Sequence, residues 1–402
     1  MGGCEVVRFI DTDVRMPVTI LCRTALCAAG LAAGLVVLGA PRLVAQAPPG
    51  AMIPCGALLG GGPGPGPARG TPPSTPPPAA APQISVGMPP FLPSVPVVLA
   101  NGMRITPVQG SLYMLGGAGG NIAMQVGSEG VLLVDSGSAD RADAVIATLR
   151  QLTASPIRLI INTSAGAEHT GGNDALMRIG RRFATSLGRT GGPGDQPGAA
   201  IMARQAVQNR LIAEKASECA LPTTTYDVFP TRSLFFNGEG IELRHMPAAQ
   251  SDGDSFVFFR RSDVVVTGDI FSTSLYPVID LEHGGSIEGT IAALNHLLEI
   301  TIPALKQEGG TMVIPGHGRV GDEADVSEYR DMVTIVRDRV RALVAKNMTL
   351  EQVKAERPTL DFDGRYGATD GPSTTDRFIE AVYRGVSQAA TRNTPARAGR
   401  RR

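Results

Sequence analysis

Residues 157–173 read IRLIINTSAGAEHTGGN, a mostly apolar run followed by a loop with ionisable residues. The first six residues, 157–162, form an apolar run that predicts a buried strand. The ionisable pair Glu168 and His169 follows within a short loop, and a helix is predicted to start at Gly171. Loops after the carboxyl ends of strands carry the functional side chains of α/β proteins. The stretch therefore places candidate catalytic or metal-binding groups at the end of a strand.

Three further motifs also follow predicted strands. Residues 247–254 read PAAQSDGD, residues 267–271 read TGDIF, and residues 314–318 read IPGHG. Around them, apolar runs with hairpin turns alternate with amphipathic segments such as 139–152 and 325–345 in both halves of this region. This order predicts two mixed sheets that face each other, with helices on the outside.

The order of these motifs resembles the metallo-β-lactamase fold superfamily, nearest its glyoxalase-II-like exported hydrolases. The family's first motif is His-x-His-x-Asp-His followed by Thr-Gly-Gly-Asn, and Glu168–Asn173 keeps the end of it. The VLLVDSG segment with Asp135, the TGDIF motif with Asp269 and the PGHG motif with His317 match as well. The resemblance covers residues 101–390 and implies a four-layer αββα sandwich.

The chain departs from the family's pattern at one of two metal positions. The three imidazoles that serve the first metal alone are replaced here by Ser164, Gly166 and Gln250. The positions that the resemblance assigns to the second metal are Glu168, His169, Asp269 and His317. Glutamate stands there for the family's aspartate, and its side chain is one methylene longer. The resemblance therefore implies at most one tightly bound metal per chain.

Two imidazoles and two carboxylates suit a single divalent metal, with zinc expected first and iron or manganese as alternatives. A metal with an open position lowers the pKa of bound water and polarises a carbonyl group. A carboxylate that does not bind the metal would act as general base, and the sequence leaves Glu168 and Asp269 both open for this catalytic role. We therefore expect a single-metal hydrolase of a small-molecule ester, thioester or amide.

Two other functions stay open at this point. One is a catalytically inactive family member that binds a ligand or partner in the former active-site cleft. The other is an envelope-attached structural protein in which the linker matters most. In either case His169 would be a helix-terminal residue without metal, and Asp269 and His317 would make ordinary hydrogen bonds. A metal assay separates the hydrolase from both.

Several other polar residues near the motifs have simpler interpretations. Asp135 ends a buried strand and is expected to accept hydrogen bonds beneath the site. Asp252 and Asp254 flank a glycine, which is typical of a turn followed by a strand. The histidines outside the motifs are expected to be structural or surface residues: His245, His283 and His296.

The composition argues against a nucleic-acid partner. The chain of 402 residues has 37 basic and 37 acidic side chains, so it carries no net positive charge. A nucleic-acid-binding domain normally has a basic face. With no tryptophan and 4% aromatic residues, the chain also offers few side chains for stacking against bases.

The two ends of the chain predict segments outside the catalytic domain. Residues 1–45 resemble a signal peptide, because Arg23 precedes seventeen uncharged residues and a small-residue cleavage site follows. Residues 46–100 are rich in proline and glycine, which predicts a disordered linker. Residues 391–402 form a basic tail that is also expected to be disordered. The mature chain would then have no membrane span, unless the signal stays uncleaved.

Export to the periplasm or the medium makes a direct prediction about the mature N-terminus. The small residues Ala45 and Ala47 have cleavage-site spacing, but Pro48 disfavours a cut after Ala47. We therefore expect cleavage after Ala45 and a mature chain that starts near Gln46. N-terminal sequencing of the protein recovered from its host tests this. A chain that begins at Met1 or Met16 contradicts export.

Overall fold

The structure of the protein is a computed structural model that describes residues 92–183 and 196–392. The predicted signal peptide, nearly all of the predicted linker and nearly all of the basic tail lie outside the described residues. The ordered fold begins before the expected boundary at residue 101, because a short strand already forms at Val97–Val98.

The described ranges contain fifteen strands and nine α-helices. The strands are β1 (Val97–Val98), β2 (Arg104–Pro107), β3 (Leu112–Ala118), β4 (Gly120–Gly127), β5 (Gly130–Val134), β6 (Ile157–Ile161), β7 (Arg181–Arg182), β8 (Gln196–Pro197), β9 (Ala200–Arg204), β10 (Thr224–Tyr226), β11 (Thr231–Phe236), β12 (Glu239–His245), β13 (Ser255–Phe259), β14 (Val264–Val266) and β15 (Met312–Ile314). The helices are α1 (Ala142–Leu152), α2 (Ala167–Thr170), α3 (Asn173–Ile179), α4 (Gln205–Ala213), α5 (Ile287–Ile300), α6 (Glu323–Ala345), α7 (Leu350–Ala355), α8 (Asp363–Tyr366) and α9 (Thr375–Arg392).

The first sheet has eight strands in the order β1-β2-β3-β4-β5-β6-β9-β10. Strands β1 to β5 form an antiparallel meander, and β6, β9 and β10 continue it in parallel. All five residues of β5 are buried. Since successive side chains of a strand point to opposite faces, Leu132 and Val134 face the second sheet while Val131 and Leu133 face helices α1 and α3.

The second sheet has five strands in the order β11-β12-β13-β14-β15, and only its last pair is parallel. Val257 and Val266 pack toward the first sheet. Phe256, Phe258 and Val265 pack on the opposite face, against the helical layer of α5, α6 and α9. Each sheet is thus buried on both faces, which confirms the predicted four-layer αββα sandwich.

Besides β1, two strands of the first sheet were not predicted from the sequence. The apolar runs and amphipathic segments of the sequence predict no strand at β9 or at β10. Strand β9 spans only five residues, and α4 begins at the residue that follows it. The sequence of β9, AIMAR, has two alanines and a single β-branched residue, so β-propensity does not mark it as a strand. Its pairing with β6 at Leu159↔Ala200 is what defines it.

An aromatic cluster ties the carboxyl-terminal helices to the loop after β14. The Phe271 and Tyr329 rings lie 5.4 Å apart at 84°, and Tyr329 meets Tyr366 at 5.5 Å. Tyr276 stacks on Phe378 at 4.8 Å. Because all five rings are buried, the loop that carries Asp269 is held rigidly against the helical layer.

Within the described ranges, no helix has the length and apolar character needed to cross a membrane.

Candidate metal centre

Asp135 and His169 form a buried pair at the carboxyl end of β5. Asp135 has the left-handed backbone value φ 68°, which turns its side chain into the site. Its Oδ2 atom lies 2.8 Å from His169 Nδ1, and its two oxygens accept hydrogen bonds from the Thr163 N–H and hydroxyl at 2.8 and 2.7 Å. The contact orients the imidazole so that Nε2 points away from Asp135, as in many metal-binding histidines.

The backbone of His169 is held as firmly as its ring. Its carbonyl oxygen accepts hydrogen bonds from Asn162 Nδ2 at 2.9 Å and from both the N–H and the hydroxyl of Ser136 at 3.0 Å. Asn162 and Asn173 exchange two side-chain hydrogen bonds, at 2.9 and 3.1 Å. The asparagine of the EHTGGN motif thus fixes the loop that presents His169.

The structure brings together all four residues that the sequence singles out as metal ligands. His169 Nε2 lies 3.0 Å from Asp269 Oδ2. His317 Nε2 lies 3.2 Å from Glu168 Oε2 and 3.5 Å from Asp269 Oδ1. Glu168, His169 and Asp269 each offer one ligand atom within 4.8 Å of the others. Glu168 and His169 follow β6 of the first sheet, whereas Asp269 and His317 follow β14 and β15 of the second.

Two buried polar atoms in this cluster have no hydrogen-bond partner among the described residues. They are His169 Nε2 and Asp269 Oδ1. His169 Nε2 is close to Asp269 Oδ2, but the contact lacks hydrogen-bond geometry. A buried polar atom without a partner costs about 1–3 kcal/mol. A divalent cation would satisfy both atoms, and the nitrogen and oxygen donors suit zinc, iron or manganese. The residues present therefore fit a single metal.

The carboxylates strongly perturb the two histidines. Burial lowers the pKa of His169, but Asp269 and Asp135 together raise it well above its usual value. Burial likewise lowers the pKa of His317, while its hydrogen bond to Glu168 and the charge of Asp269 raise it overall. Burial raises the pKa of Asp269, but the two histidines hold it well below its usual value. In the metal-free protein, the carboxylates of the cluster therefore stabilise the protonated form of both imidazole rings.

These shifts predict how metal affinity depends on pH. A metal ligand must be a neutral imidazole, so binding releases the protons that His169 and His317 hold in the metal-free protein. Because both pKa values are raised, zinc affinity should keep rising with pH beyond the ordinary histidine pKa of about 6.5. Competition with a chromophoric chelator at several pH values measures this. An affinity that levels off below pH 6.5 would contradict the raised pKa values.

The three positions where the family has further imidazoles contain no metal ligand of that kind. Ser164 Oγ accepts a hydrogen bond from the Gly166 N–H at 3.3 Å. Gln250 Nε2 lies 3.4 Å from Asp269 Oδ2, so an amide approaches the carboxylate from the side of the missing ligands.

The remaining polar residues of the motifs have structural partners. Asp252 pairs with Arg210 at 2.8 Å. Asp254 accepts hydrogen bonds from the Ser251 N–H and hydroxyl at 2.6 and 2.9 Å, and burial raises its pKa to about 7. The histidines outside the motifs contact backbone or carboxylate groups rather than the cluster, as expected: His245, His283 and His296.

One residue next to the cluster was not predicted. Asn121 is a buried asparagine near the start of β4, and it contacts the loop that carries His317. The only signal in the sequence is a polar side chain at the second position of a mostly apolar strand.

The comparisons with known proteins agree with this geometry. The family model described as the metallo-beta-lactamase superfamily matches residues 115–317, about half of the chain. The chain belongs to the metallo-beta-lactamase superfamily. No curated protein sequence matches it.

Solved structures of this fold resemble the chain at low sequence identity. A double mutant of the sec-alkyl sulfatase PisA1 has a TM-score of 0.53 and 15% identity, covering 72% of this chain and 51% of that one. The stereoselective inverting sec-alkylsulfatase Pisa1 from Pseudomonas sp. has a TM-score of 0.50 and 15% identity, covering 71% and 50%. A metallo-beta-lactamase from Pontibacter korlensis has a TM-score of 0.44 and 12% identity, covering 58% and 99%. The chain thus spans about half the length of the alkylsulfatases, and the likeness to them shows the fold alone.

Proposed function

We propose that this metallo-beta-lactamase superfamily member is a hydrolase of small-molecule esters, thioesters or amides that works with one divalent metal. The ligands would be His169, Asp269 and His317, with Glu168 as a fourth ligand only where it does not act as general base. The observation that carries the proposal is the buried, unpartnered His169 Nε2, which faces the Asp269 carboxylate at 3.0 Å. A buried imidazole held in this way by a carboxylate is oriented as a metal-binding histidine is.

The residues of the cluster have separable roles in this hydrolase. A divalent metal supplies Lewis acidity at such a site. Asp135 holds the His169 ring, and Asp269 contacts both histidines. The Glu168 side chain is 30% exposed, against 8% for Asp269, so it is the carboxylate that substrate and water can reach. Glu168 is therefore our candidate for the general base that takes a proton at a carboxylate oxygen.

Zinc is the ion that we propose, with iron and manganese as alternatives, because imidazole and carboxylate donors all bind it well. We also propose that the protein acts after export, in the periplasm or outside the cell. That proposal is supported by the signal-like sequence of residues 1–45.

Elemental analysis of the purified full-length protein tests the metal content. We expect about one metal per chain and an increase in melting temperature when zinc is added to the chelator-treated protein, because a ligand that binds only the folded state stabilises it. Two metals per chain would refute the single-metal site. Hydrolysis is then assayed on chromogenic esters, thioesters and amides, with and without chelator.

The contact of Gln250 with Asp269 favours a second candidate function. Gln250 Nε2 lies 3.4 Å from Asp269 Oδ2, so its amide group donates a hydrogen bond that partly offsets the negative charge of this carboxylate in the absence of metal. The protein would then be an inactive superfamily member that binds a ligand or partner in the cleft. No bound metal, and no gain in melting temperature with zinc, iron or manganese, would favour this candidate over the hydrolase.

A further inference from the structure

Asn121 in the first sheet makes hydrogen bonds to the loop of residues 315–318, which follows the last strand of the second sheet. Its side-chain Nδ2 donates hydrogen bonds to the carbonyl oxygens of Pro315 at 3.0 Å and Gly318 at 3.1 Å. Its backbone N–H donates to the Gly316 carbonyl oxygen at 2.8 Å. One residue therefore binds three of the four carbonyl groups of this loop.

The fourth carbonyl group of the loop, that of His317, is held from the other side. It accepts hydrogen bonds from the Ser272 hydroxyl and the Thr273 N–H, both at 3.3 Å. Both residues lie in the loop that follows β14 and carries Asp269. The backbone on both sides of His317 is thus tied to the first sheet by Asn121, and that of His317 itself is tied to the Asp269 loop.

The neighbouring Gly120 shows how close the two halves of the metal centre come at this point. A Cβ atom at Gly120 would lie 3.4 Å from the Glu168 carbonyl oxygen and 3.6 Å from that of Gly316. The start of β4 therefore runs between the loop that carries Glu168 and the loop that carries His317. Asn121 is only 8% exposed, and its partners are backbone groups of a single loop.

We propose that Asn121 is a positioning residue that aligns His317 with Glu168 and His169. The proposal rests on the proposed function, since it concerns the metal that this function requires. Two pairs of ligands come from different sheets, and a metal demands that all of them lie within a few tenths of an ångström of their places. The hydrogen bonds of Asn121 connect the first sheet to the loop that carries His317 after the second sheet.

The test compares Asn121→Asp with the wild-type full-length chain. The aspartate has almost the same shape, but it lacks both N–H donors and sets a negative charge against two carbonyl oxygens. We expect zinc affinity, measured by competition with a chromophoric chelator, to fall about 10–100-fold, which is the usual effect of replacing a residue that orients a metal ligand. In the metal-free protein, the NMR signal of the His317 ring should shift while that of the His169 ring stays in place.

Asn101→Ala is the matched control. The Asn101 amide also donates two hydrogen bonds, to the Ala144 carbonyl and the Thr148 hydroxyl, both at 3.2 Å, but it has no contact with the metal centre. It should leave zinc affinity and the His317 signal unchanged. Should Asn121→Asp not fold, Asn121→Ala removes the donors without adding charge, and the same results are expected.

Two results would overturn the positioning role. One is wild-type zinc affinity together with an unmoved His317 signal in the Asn121 variant. The other is an equal loss of affinity in the Asn101 and Asn121 variants, which would indicate a general effect of destabilisation. If the wild-type protein itself binds no zinc, the proposed function fails, but the His317 signal of the metal-free protein still decides whether Asn121 positions the ring.

Discussion

Replacing His317 by alanine should remove the metal from the protein. The His317 ring contacts Glu168 at 3.2 Å and Asp269 at 3.5 Å, so it stands between the two carboxylates of the cluster. Removing a residue that hydrogen-bonds to a metal ligand typically lowers metal affinity about 10–100-fold. Removing a ligand itself should lower it further, so we expect zinc affinity to fall by more than about 100-fold. Hydrolysis should disappear with it. Elemental analysis and chelator competition measure the loss, and the ester, thioester and amide assays measure activity.

His296→Ala is the control for this variant. His296 lies on α5 and is 36% exposed, and its ring contacts Glu299 and Arg244 rather than the metal centre. Its replacement should leave metal content and hydrolysis unchanged. The melting temperatures of both metal-free variants show whether either one is simply unfolded. Hydrolysis that survives His317→Ala would show that the site is assigned to the wrong residues, even though the fold is right.

Replacing Gly316 by alanine should both destabilise the protein and disturb the metal centre. A Cβ atom at this position would lie 2.1 Å from Asp269 Oδ1 and 2.8 Å from the carbonyl carbon of Gly268. Neither group can move freely, since one is a buried carboxylate and the other is backbone. Overpacking of this kind costs about 1–3 kcal/mol of unfolding free energy, and here it also pushes Asp269 out of place. Thermal unfolding of the metal-free protein and a zinc titration measure the two effects separately.

Gly364→Ala is the matched change at an open position. No atom lies within 4 Å of the Cβ that would be added there, and Gly364 lies in helix α8, where alanine is favoured over glycine. Its melting temperature should stay the same or rise slightly, and zinc binding should be unaffected. Equal effects of the two substitutions would show that the close approach of Gly316 to Asp269 does not constrain the site.

Much of the architecture was predictable from local patterns. Strand β5 reads as a continuous apolar run because both of its faces are buried, and the run ends at Asp135, which lies beneath the site. The long helix α6 shows a helical period, and its start has a capping box between Asp322 and Asp325. Strand β9 was missed, because its five residues become a strand only through pairing with β6.

The donor residues of the candidate metal site were also predictable from the sequence. Through the resemblance to the superfamily, the motifs with Glu168, His169, Asp269 and His317 indicate the available donors, and Ser164 and Gly166 stand where the family has imidazoles. These facts concern residue types and spacing, which a chain displays without folding. They imply a single metal before any distance is known.

How the donors come together depends on the tertiary structure. Glu168 and His169 come from one sheet and Asp269 and His317 from the other, and Asn121 reaches 194 and 197 residues along the chain to bind the loop of His317. A sequence pattern records the period of each element, because side chains repeat along a helix or strand. It does not record contacts between residues far apart in the chain, which depend on how the two sheets pack against each other.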